Sequence, residues 1–122
     1  MTVVQYYDDV YMVNYRIIMK STSDEFYDYI EEQTGQKISK EDVNPWNSLF
    51  EGLELDRELQ AFIFLHEKDE NLRGLAHETA HAVTFVFEIR GIPINREMDE
   101  AFCWYYDFLV NKFQELSGIK IP

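Results

Sequence analysis

The chain has 122 residues, 46% of them hydrophobic, and a formal net charge of −12. That length builds one domain with its own core, not two, and the composition excludes a disordered chain. The acidic balance excludes a nucleic-acid binder, whose phosphate contacts need a basic surface.

The first nine residues lack the basic stretch and apolar run of a signal peptide, and no apolar stretch reaches membrane-spanning length. A soluble, cytoplasmic protein with no membrane partner is expected. One cysteine, Cys103, leaves no internal disulfide and no cysteine-rich zinc cluster.

Residues 10–19 are rich in Tyr, Val and Ile and read as a strand. Thr22 with Glu25 is a capping box that opens a short amphipathic helix through Phe26, Tyr29 and Ile30, stopped at Gly35. The acids from Asp24 to Glu32 read as its solvated face. Asn44-Pro45 ahead of Trp46, with Gly52 past Phe50, predicts a brief helical turn. Residues 59–65 are the best strand of the chain, with apolar side chains on both faces, so both faces are expected to be covered. Lys68 to Asn71 form a polar turn, with Asp69 or Asn71 as the cap of the next helix.

Residues 72–90 predict a helix with so few polar positions that it should be central and buried, ended by Gly91 and Pro93. Asn95 caps a last helix over 96–116. Its aromatics Phe102, Trp104, Tyr105, Tyr106, Phe108 and Phe113 read as core and rim packing, and Cys103 as a small buried hydrophobe.

His77-Glu78-Thr79-Ala80-His81 is an H-E-x-x-H pentad holding two of the three histidines. Residues i and i+4 stack on one helix face, so two imidazoles can grip one metal ion while Glu78 reaches a metal-bound water. A catalytic zinc needs a third protein ligand. The turn at residues 91–94 folds the next helix back, which makes Glu97 and Glu100 the candidates; Ala101 permits close helix approach and favours Glu100. Asp99 reads as a charge complementing the helix dipole. His66, Tyr105 and Tyr106 are the candidates for a donor to a developing oxyanion. The competing reading of Glu78 is a carboxylate paired with Arg73 or Arg90.

The pentad followed by Glu100 resembles the gluzincin arrangement of zinc metallopeptidases. The run from Leu75 to Val83, with Asp99-Glu100-Ala101-Phe102 downstream, resembles small zincin-like proteins of phages and prophages. It is similar, more distantly, to the metallopeptidase domain of the ImmA/IrrE family. The resemblance covers roughly residues 58–112. It implies a strand ahead of the active helix that forms the sheet edge along the substrate cleft. The thermolysin-like pattern has an aspartate four residues after the third ligand; here Trp104 occupies that position.

The expected fold is therefore α+β: a single minimal zincin-like domain over 1–122. A small sheet would pack on the pentad helix, and the last helix would lie beneath it and close the metal site. The expected activity is zinc-dependent peptide hydrolysis, with His77, His81 and Glu100 holding Zn²⁺ and Glu78 as general base. Two imidazoles and a carboxylate also suit Fe²⁺. The partner would be a peptide or protein substrate; the alternative is a non-catalytic acidic protein that binds and inhibits a host protein.

Overall fold

The computed structural model describes residues 1–39 and 46–120. Strands β1 (Thr2–Asp8), β2 (Val13–Met19), β3 (Leu49–Leu55) and β4 (Glu58–Phe64) form one mixed sheet in the order β1-β2-β4-β3. β1 pairs antiparallel with β2, β2 parallel with β4, and β3 antiparallel with β4. Three helices complete the α+β domain: α1 (Ser23–Thr34), α2 (Leu72–Ile89) and α3 (Asp99–Ser117). No helix among the described residues is long and apolar enough to cross a membrane.

Alternation along the two central strands divides the core. Val13, Tyr15 and Ile17 of β2 join Leu59, Ala61 and Ile63 of β4 in a cluster with Leu75, Val83, Val86 and Phe87 of α2 and Leu109 and Phe113 of α3. The opposite face of the same strands sends Ile18, Phe62 and Phe64 against Phe26, Tyr27 and Ile30 of α1. Side chains on successive strand residues point to opposite faces, so a strand with helices on both sides must be apolar throughout. Residues 61–64 meet that requirement, and the buried amide of Gln60 is satisfied by Arg16 and Glu58. α2 and α3 lie side by side on one face, so α3 flanks α2 and does not lie beneath it.

The capping box forms as the sequence predicts: Glu25 N donates to Thr22 Oγ1 at 3.2 Å, and Thr22 N to Glu25 Oε1 at 3.1 Å. Gly35 ends α1 at φ 73°, a left-handed conformation that costs glycine little. The strand expected over 10–19 begins only at Val13. Residues 9–12 instead make the turn of a hairpin, whose first strand, β1, has strand-forming residues in Val3, Val4, Tyr6 and Tyr7 that the sequence reading leaves unassigned.

The helical turn expected before Gly52 is corrected. Asn44 and Pro45 lie outside the described residues, while Phe50 and Gly52 belong to β3. Gly52 serves packing, because a Cβ there would fall 2.3 Å from the Phe85 ring of α2. β4 is paired along both sides and has no free edge; β3 is the edge next to α2.

Arg90, just past the end of α2, ties both hairpins to the helix. Its guanidinium donates to the carbonyls of Tyr11 at 2.8 Å and Arg57 at 2.9 Å. It is thereby engaged away from Glu78.

Candidate metal centre

Asn71 caps α2, its side chain accepting from Gly74 N at 2.9 Å. Capping of this kind contributes about 1 kcal/mol and fixes where the first turn begins. From there the helical period decides which residues face the sheet. Leu75, Glu78, Thr79, Ala82, Val83, Val86 and Phe87 are buried, whereas His77 and His81 are exposed.

The expectation of a helix buried all round, with the whole pentad in the interior, is thus corrected. The sheet covers one face of α2 and α3 one flank, and the remaining face is open. Ala76, Ala80 and Thr84 on the uncovered sides are too small to need burial.

The two imidazoles lie side by side, with ring centroids 5.1 Å apart and planes at 75°. Glu78 is the buried member of the pentad and lines a polar cavity of about 570 Å³ together with His77, Ser48, Asp69 and Arg73. Burial pushes the Glu78 carboxyl above its ordinary value; His77 draws it down and Asp69 adds to the rise. Neither Arg73 nor Arg90 forms an ion pair with it among the described residues.

A 3-10 turn, Glu67–Asp69, roofs this cavity. Ser48 Oγ donates to Asp69 Oδ2 at 2.8 Å and accepts from His66 N at 2.9 Å, joining the start of β3 to the end of β4. His66 caps the turn, its Nδ1 accepting from Lys68 N at 3.2 Å. It is a strand-end residue and does not line the cavity. Sequence reasoning misses Asp69 and Ser48 as site residues, because nothing in the spacing of a polar turn shows that it folds back over a helix.

Glu97 and Glu100 are exposed at the start of the last helical segment. Among the described residues no group of three or more His, Cys, Asp or Glu side chains converges to hold a metal, so neither glutamate is gathered with the histidine pair. The helix contacts explain the separation. Phe87 meets Phe102 and Tyr105, which places the beginning of α3 against the end of α2. His81 lies six residues before Phe87, roughly 9 Å along the axis at 1.5 Å per residue.

His77 and His81 are therefore the members of the expected ligand set that the fold brings together, and Glu100 stands apart from them among the described residues. Tyr105 is also committed elsewhere, donating its hydroxyl to Asp8. Cys103, expected to be buried, is exposed. Desolvation and then the acids Asp99, Glu100 and Asp107 push its thiol pKa up, which disfavours the thiolate needed to bind metal.

No protein-family model, curated protein or solved structure matches the chain.

Proposed function

We propose that the chain is a small zinc-dependent metallopeptidase of the zincin-like type, with His77, His81 and Glu100 as metal ligands and Glu78 as general base. The observation that supports it best is local to α2. The histidine pair stands in register on the open face, and the carboxylate between them is the buried member, lining a polar cavity shared with His77.

Bound zinc would supply an acidified water and an electrophile for the peptide carbonyl. Glu78, held out of bulk water, would take the proton from the attacking water and deliver it to the leaving amine. Asp69 and Arg73 would shape and charge the cavity mouth. An extended peptide would add to the sheet along β3, the strand with a free edge beside α2, and not along β4. Glu100 is the third ligand this reading needs, and its binding would draw the first turn of α3 towards His81.

The test is hydrolysis of a mixed peptide library by zinc-supplied protein beside Glu78→Gln. Loss of cleavage by about 10²-fold or more, with zinc still bound, is expected for a general base. Equal cleavage by the two proteins, or none by zinc-loaded wild type, contradicts the reading. One observation favours the non-catalytic acidic binder instead: both imidazoles are exposed and no third ligand is gathered with them among the described residues. Such a protein would keep its partner when Glu78 is replaced.

A further inference from the structure

A second cavity, also of about 570 Å³, lies between α3 and the turn joining β1 to β2, and none of His77, Glu78 and His81 lines it. Its walls include five aromatic rings, from Tyr6, Tyr11, Trp104, Tyr105 and Phe108, together with the carboxylates of Asp8 and Asp9. Tyr11 and Tyr105 meet edge to face at 4.8 Å, so two of the rings stand at an angle and form a corner.

Asp8 is only 4% exposed. Its carboxylate accepts from Val10 N at 2.9 Å and from the Tyr105 hydroxyl, which is 2.5 Å from the hydroxyl of Tyr15. These donors are all neutral, and no described Lys, Arg or His forms an ion pair with Asp8 or Asp9. Buried charge is ordinarily paired, so this carboxylate leaves a negative potential at an aromatic wall. Aromatic faces attract cations through the ring quadrupole. Tyr6 already does so within the fold, with Lys112 Nζ 5.7 Å from its ring centroid.

We propose that this cavity binds a small organic cation with apolar substituents, of the alkylated ammonium class. Trp104 and Phe108 form the open rim of an aromatic cage, Tyr11 and Tyr105 its inner walls, and Asp8 and Asp9 the counter-charge. The size of the cavity suits a small molecule, since such sites span about 300–1,000 Å³. An anion is disfavoured by the two carboxylates.

The test is calorimetric titration of the whole chain, at fixed ionic strength, with choline and with its uncharged carbon isostere 3,3-dimethylbutanol. Trp104→Ala and Asp9→Asn are measured alongside; both positions are exposed, so the fold should tolerate either change. Saturable choline binding about tenfold or more tighter than the isostere is expected, weakened roughly 3- to 30-fold in each variant. Equal binding of the two probes, no saturation by choline, or unchanged choline affinity in both variants overturns the proposal.

Discussion

Gly74→Ala tests how the roof of the candidate site is held. Gly74 stands in the first turn of α2, and a Cβ there would lie 2.2 Å from the carbonyl oxygen of Asp69 and 2.7 Å from its Cβ. Carbon contacts settle at about 3.5–4.0 Å, so the 3-10 turn has to retreat by on the order of 1 Å. In an open helix the same substitution gains about 1 kcal/mol from helix propensity. Here overpacking against fixed backbone costs about 1–3 kcal/mol. Displacing Asp69 also weakens its bond from Ser48, worth about 1 kcal/mol more. The net loss is about 2 kcal/mol, which for a domain of this size lowers Tm by roughly 6–10 °C. A far-UV circular dichroism melt reads it directly. An unchanged or higher Tm would show that the turn is not seated on α2 and that the cavity lacks this roof.

Glu51→Gln is expected to raise Tm at pH 7, with the gap closing as the pH falls below the ordinary carboxylate value of 4.5. Burial raises the Glu51 pKa in the folded state, so the fold holds that proton more tightly than the unfolded chain. Stability is then greatest at low pH and is lost as pH rises through the folded pKa. Gln keeps an acceptor for the Tyr27 hydroxyl, now 3.3 Å from Glu51. A gap of equal size in melts at pH 4 and pH 7 would show that ionisation is not its cause. Tyr105→Phe removes the hydroxyl that serves Asp8 and should cost about 1–3 kcal/mol in denaturant unfolding, since a buried carboxylate loses a donor. A neutral result would mean that water replaces the hydroxyl and that Asp8 is less enclosed than its burial implies.

Much of the domain was legible from local chemistry. Thr22 with Glu25, and Gly35, act within four residues of themselves and perform the roles their positions predict, and of the two caps open for α2, Asp69 and Asn71, it is Asn71 that forms. Strand β4 was legible because apolar residues fill both of its faces. Strands β1 and β3 were not, and the reason lies in their turns. Asp56 and Arg57 join β3 to β4 at φ 50° and 75°, where Asn-Gly or Asp-Gly would have announced a hairpin. The β1–β2 turn, Asp9-Val10-Tyr11-Met12, likewise has no glycine or proline.

At the site, the pentad fixes the relation of His77 to His81 by helical period alone. Which face of α2 they occupy depends on how two helices divide one sheet face, and a run of alanines and a threonine in the helix conceals that. The place of Glu100 depends on Phe87, Phe102 and Tyr105 meeting at the end of α2, a tertiary packing that no spacing rule contains.

Zinc content after saturation and desalting, measured by mass spectrometry on wild type and His81→Ala, bears most directly on the proposed metal centre. His81 is exposed, so its loss should leave the fold intact. About one zinc per chain, absent from His81→Ala, is the predicted result for a site of this ligand type. No zinc in either protein would contradict the metal centre and leave His77 and His81 as two neighbouring surface side chains.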